Sequence, residues 1–154
     1  MSAFELQLPS VWQRLRDVQA LVLDAMIAHP EQLRTASLMV ASELAENAIK
    51  YGEVLADCPN VTFGLVIEAT SITIRVASGI TPGPALDAVR KRIDTLNAAP
   101  SKQDLYYQRL RELLEQPTAT GQLGLLRVAF EGQFDLSYTY QAPILTITAR
   151  REIP

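Results

Sequence analysis

Between Pro9 and His29 apolar residues recur at Val11, Leu15, Val18, Val22 and Met26, a three-to-four spacing that puts them on one stripe of a helix. Ser10 suits the N-cap of that helix, and Pro30 stops it after His29. The same Pro30 can open a second helix, because a proline in the first turn lacks only a donor that would be unpaired anyway. This helix runs to about Tyr51, with Gly52 as its C′ residue and Leu38, Ala41, Leu44 or Ala45, and Ala48 as its packing stripe. The period then changes to two. Val61, Phe63, Leu65 and Ile67 oppose Thr62, Gly64 and Glu68, and Ile72, Ile74 and Val76 alternate with Thr73, Arg75 and Ala77. With Ala69-Thr70-Ser71 between them, the two runs predict an antiparallel hairpin.

Ser78 to Pro84 breaks regular structure. Helical patterns follow over 87–96 and 103–115, the second carrying Leu105, Leu110, Leu113 and Leu114. A loop from Pro117 to Gly121 precedes a short apolar helix over 123–130. Two alternating runs close the chain: Phe134, Leu136, Tyr138 and Tyr140, then Leu145, Ile147 and Ala149 beyond Pro143. Local strand pairs separated by helices predict an α+β two-layer sandwich, with a mixed, mainly antiparallel sheet and helices on one face. A doubly wound parallel sheet would need strict alternation of strand and helix, which the pattern lacks.

Composition narrows the classes without choosing among them. The 154 residues are 48% hydrophobic and 20% charged, which suits one domain with a real core. Fourteen Lys and Arg against seventeen Asp and Glu give a net charge of −3, the wrong sign for a dedicated nucleic-acid binder. The one dense basic run, Arg90-Lys91-Arg92, reads as a solvated helix face. A single Cys58 excludes an internal disulfide and suits a reducing compartment. No stretch is long and apolar enough for a membrane span, and the first residues do not resemble a leader, so the expected location is the cytoplasm. His29 has no nearby Cys or second His to share a metal, and a place at a helix C-terminus accounts for it. Trp12 reads as a core or interface anchor, and Tyr106 and Tyr107 as core aromatics.

The segment with the most chemistry is Ala41-Ser-Glu-Leu-Ala-Glu-Asn-Ala-Ile-Lys-Tyr-Gly52. On a helix Glu43, Asn47 and Lys50 stand at i, i+4 and i+7, so a carboxylate, a carboxamide and an ammonium share one stripe. Such a face can hold a magnesium ion through the Asn oxygen, orient or deprotonate a nucleophile with Glu43, and aim Lys50 at phosphate oxygens. A solvated helix edge has the same spacing.

Glu43 to Gly52 resembles the N box of the GHKL ATPase superfamily, which includes gyrase-type topoisomerases, sensor histidine kinases and the anti-sigma-factor serine kinases. The order of elements is similar too, over roughly residues 30 to 150. The resemblance implies a single histidine-kinase-like ATPase domain over 1–154 with a helical lid insertion at about 84–117. It implies Glu43 as the catalytic carboxylate, Asn47 as the Mg2+ ligand, and Lys50 and Tyr51 near the phosphates of ATP. Gly121-Gln-Leu-Gly124-Leu125 resembles the glycine-rich G2 box, with Gln122 where a second glycine is usual. There the glycines would let backbone N–H groups approach phosphate, and a helix opened by a flexible turn fits the same residues.

The first glycine box departs from the pattern. Its Asp, which reads the adenine amino group, aligns with Ala77, followed by Ser78 and Gly79. Loss of that acceptor should cost about 1.5–3 kcal/mol, roughly ten- to a hundredfold in affinity, so adenine specificity is doubtful. Ser78, one place out of register, is expected on the other face of the strand. This combination looks most like the SiaB-like group of bacterial proteins, relatives of the anti-sigma kinases that modify a small partner protein. The expected function is an ATP-binding serine/threonine protein kinase of the anti-sigma type, acting on a small anti-sigma-antagonist-like protein, with a homodimer possible. The alternative is a degenerate module of the same fold that binds its partner without turnover. A chain this short leaves no room for an attached sensor or transducer domain, so what it regulates is expected on another chain. An ATP-hydrolysing dimer with a transducer domain is disfavoured for the same reason.

Overall fold

A computed structural model describes residues 1–9, 12–116 and 123–154. Strand β1 (Ser2–Leu8) leads, through a 3-10 turn at Trp12–Arg14, to helices α1 (Leu15–Ala25) and α2 (Glu31–Tyr51). Strands β2 (Val61–Ile67) and β3 (Ser71–Gly79) form the hairpin. Helices α3 (Pro84–Ala98), α4 (Lys102–Glu115) and α5 (Gly124–Phe130) follow, and β4 (Asp135–Gln141) and β5 (Ile144–Glu152) end the fold.

The sheet order is β1-β2-β3-β5-β4, and all four pairings are antiparallel. The two-layer α+β architecture is therefore present, and the sheet has no parallel pairing among the described residues. Alternation assigns one face to the core. Phe63 lies opposite Leu6 and Val76, Leu65 opposite Phe4 and Ile74, and Ile147 opposite Val76 and Tyr138. Phe63, Leu65, Ile72 and Ile74 are fully buried beneath Val18, Val22 and Met26 of the first helical segment and Val40, Ala41 and Leu44 of α2. The opposite face of the sheet carries Glu5, Thr62, Arg75, Thr148 and Ser137.

Several expectations change. Strand β1 goes unread in the sequence because its alternation of Phe4, Leu6 and Leu8 is short and only Leu8 is fully buried. The first helix is shorter than its apolar stripe. Met26 is buried but sits in a turn, closed by its N–H to Val22 O at 2.9 Å, and His29 lies beyond the helix end that was to explain it. The expected N-cap Ser10 and the stripe residue Val11 lie outside the described residues. Gly52 is extended (φ −70°, ψ 154°) instead of left-handed. Its value is close approach, since a Cβ there would collide with the Ala48 carbonyl oxygen and stand 3.2 Å from the Cβ of Ser78. Strand β3 continues past Ala77 because β5 pairs with it as far as Gly79, opposite Ile144. Pro84 opens α3 three residues before the predicted start, in the first turn where a missing N–H costs nothing.

Candidate functional site

Helix α2 lies across the sheet with Ala41, Leu44, Ala45 and Ala48 buried, so Glu43, Glu46, Asn47 and Lys50 remain on its far flank. The expected spacing thus places Glu43, Asn47 and Lys50 on one open groove of about 310 Å³, walled by Trp12, Leu123, Gly124 and Arg127. Trp12 is half exposed at the rim of this groove and is not a core anchor, because the 3-10 turn holds it clear of the α1 packing stripe.

Asn47 also lines a second space. On its inner side a narrow cavity of about 20 Å³ runs between α2 and the sheet, bounded by Tyr51, Gly52, Ser78, Arg92 and Leu125. That volume admits about one water molecule, whereas ligand sites usually reach about 300 Å³ or more. Asn47 is therefore the junction between a small cavity beneath α2 and an open groove. Among the described residues no group hydrogen-bonds its carboxamide.

Ser78 corrects the sequence expectation. Val76, Ser78 and Ile80 line the cavity, and Ser78 is 7% exposed with no hydrogen-bond partner among the described residues. Ala77, the residue aligned with the missing acceptor, is not among the cavity's walls. The hydroxyl thus occupies the face that the alignment denied it, because β3 keeps its alternation without interruption through Gly79.

Glu43 is the most constrained of these groups. Arg127 of α5 donates from Nη1 to Glu43 Oε1 at 3.1 Å, and from Nε to Glu131 Oε2 at 2.8 Å. Burial raises the Glu43 pKa above the ordinary 4.5, neighbouring Glu46 and Glu131 add to the rise, and Arg127 opposes it. Glu131 moves the other way, held down by hydrogen bonds from Tyr106 and Arg127. Gly124 packs directly on Glu43, whose Oε2 occupies the place where a Cβ would stand. Neither Arg127 nor Glu131 carried a motif signal; their role comes from the fold bringing the end of α5 to α2, 84 residues apart in sequence.

The remaining candidates divide. Lys50 is exposed, with Nζ 5.1 Å from the Tyr51 ring centroid. Burial pushes the Tyr51 phenol up, but hydrogen bonding and charge from Lys50 and Arg92 outweigh it and leave the pKa lowered. Leu125 is buried at the cavity wall. Gly79 is in neither the cavity nor the groove wall. Its carbonyl accepts from Glu53 N at 2.6 Å, and a Cβ there would meet Glu53 O at 2.9 Å, so it serves the packing of the segment after α2. Gly121 lies outside the described residues.

The basic run is not one solvated face. Lys91 is exposed, but Arg90 lies 4.7 Å from the Tyr140 ring centroid and Arg92 forms the cavity wall. Tyr106 is buried against Phe130, at 4.8 Å between centroids, while Tyr107 is 45% exposed.

Among the described residues no group of three or more His, Cys, Asp or Glu can hold a metal by itself. Mg2+ needs only one or two protein oxygens when phosphate and water complete its octahedron. The unengaged Asn47 carboxamide on the groove fits that smaller requirement. Among the described residues no helix is long and apolar enough to cross a membrane.

No family model matches the chain, and no curated protein matches it. The solved structures do contain a similar fold. A chain in the crystal structure of the SiaB-SiaC complex from Pseudomonas aeruginosa superposes with a TM-score of 0.69 at 15% identity, covering 97% of this chain and 89% of that one. At that identity the likeness establishes the fold: five antiparallel strands backed by helices on one face.

Proposed function

We propose that the chain is a regulatory protein that acts on a small partner protein, and that it does so as an ATP-binding serine/threonine kinase of the anti-sigma type, in the bacterial cytoplasm. The observation that carries the reading is the position of Asn47, shared by a small cavity beneath α2 and an open groove whose other walls include Glu43, Lys50 and Arg127. A GHKL-type nucleotide would put its base in the cavity and its phosphates in the groove. The similar fold occurs in a two-protein complex, which supports a protein partner.

Phosphoryl transfer asks mainly for positioning and charge compensation. Lys50 supplies positive charge at the groove. Glu43 accepts the proton of a partner's Ser or Thr hydroxyl as its oxygen attacks the γ-phosphorus, and the bond from that phosphorus to the ADP oxygen breaks. Magnesium, when bound through Asn47, would offset the phosphate charge.

A second reading, a degenerate module of this fold that binds a partner without turnover, is favoured by one observation. The cavity of about 20 Å³ is too small for a purine unless α3 and α5 move away from the sheet. One experiment separates the two. The protein is purified with any small protein that accompanies it, incubated with MgATP, and the companion examined by mass spectrometry. The kinase reading expects one added phosphoryl group on a Ser or Thr, absent with Glu43→Gln. A stable companion that never gains phosphate supports the second reading.

A further inference from the structure

Glu43 is a long side chain with three rotatable bonds, and a base must present one oxygen to its proton donor while the other is held. The structure divides the oxygens in this way. Oε1 receives the 3.1 Å bond from Arg127, while Oε2 lies against the bare Cα of Gly124 and has no hydrogen-bond partner among the described residues. The guanidinium is itself fixed. Its Nε bonds Glu131 Oε2 at 2.8 Å, and the other Glu131 oxygen accepts from Tyr106 OH at 2.6 Å. Tyr106 is 8% exposed, seated on Phe130, so its hydroxyl is a rigid anchor on α4. The chain Tyr106, Glu131, Arg127, Glu43 thus links α4, the end of α5 and α2, with both forks of the guanidinium used.

We infer that Arg127 is the positioning residue for Glu43, and that Glu131 and Tyr106 hold Arg127 in that role, so that α4 belongs to the reactive site and not merely to a cover above it. The inference deepens the kinase reading and rests on it for the chemistry of Glu43. Its geometry concerns only this chain's residues and is tested separately.

Two measurements are made on the whole protein. The first is single-turnover release of phosphate from MgATP, with water standing in for the partner's hydroxyl. Arg127→Gln should lower the rate constant about tenfold or more while the KM for MgATP stays within about twofold. Arg127→Lys should recover part of the loss, and Tyr106→Phe should fall between wild type and Arg127→Gln. The second is the 15N signal set of the Arg127 side chain. Slow rotation of the guanidinium is expected in the wild type, faster rotation in Tyr106→Phe and in Glu43→Gln.

Turnover that is unchanged in a folded Arg127→Gln protein overturns the inference and leaves the kinase reading standing. If no variant, wild type included, turns over MgATP with water, the kinase reading is left to the companion-protein experiment and the guanidinium signals decide the positioning. Restricted rotation that responds to Tyr106→Phe then supports it, and free rotation in the wild type overturns it.

Discussion

Gly124 at the start of α5 stands directly against the Glu43 carboxylate of α2, leaving no space for a side chain between the two helices. Gly124→Ala should therefore act on Glu43 before it acts on the fold. Alanine is the better helix former by about 1 kcal/mol, which offsets part of the crowding, and the flexible carboxylate can swing aside. We expect stability within about 1 kcal/mol of wild type by urea denaturation. Turnover of MgATP should fall toward that of Glu43→Gln. A crystal structure of the variant would show the displaced Glu43 rotamer.

The base-reading end of the site should be weakly selective. Ser78 presents a neutral hydroxyl to the cavity, and a hydroxyl both donates and accepts, so ATP and GTP should bind within about fivefold of each other. Ser78→Asp should favour ATP by about tenfold, the gain of one charged acceptor. The same change should lower the thermal midpoint of the nucleotide-free protein, because the carboxylate replaces a small hydroxyl at a buried position whose neighbours in the cavity wall are mostly apolar. Competition binding and thermal unfolding with each nucleotide check both halves.

Glu43 should lower stability at neutral pH. Its pKa is raised in the folded protein, so its ionised form is less favourable there than in the unfolded chain. The contribution of such a group is fully present below its unfolded value and is lost as pH rises through the folded one. Glu43→Gln should accordingly unfold at a higher temperature than wild type at pH 7, with the difference shrinking as pH falls through the raised folded value and gone below about 4.5. Glu131 has the opposite sign, since its pKa is lowered, and Glu131→Gln should lose stability at pH 7 and approach wild type in acid. Melting curves from about pH 2 to 7 read both differences.

Much of this site was legible in the sequence because it lies on one long helix. The i, i+4, i+7 spacing put Glu43, Asn47 and Lys50 on one stripe, and α2 delivers them to one groove. Partners from other elements were not legible. Arg127 reaches Glu43 only through the packing of α5 on α2, and nothing in Leu123-Gly124-Leu125-Leu126-Arg127 announces an ion pair with residue 43. Ser78 was misassigned because the resemblance put Ala77 on the site face, whereas the alternation of Ile74 and Val76 continues through Ser78 and makes Ser78, not Ala77, face the cavity. The edge strand β1 was missed for a related reason. Phe4 and Leu6 are only half-buried, so their alternation is too weak to separate from a terminal tail.

Binding of MgATP to Asn47 tests the central claim most directly. The carboxamide has no partner among the described residues, so Asn47→Ala should leave stability within about 0.5 kcal/mol of wild type. Titration calorimetry should then detect MgATP binding to the wild type and lose it, or weaken it by about tenfold or more, in Asn47→Ala. Absence of heat at millimolar MgATP in the wild type, or equal affinity in both proteins, would contradict the account.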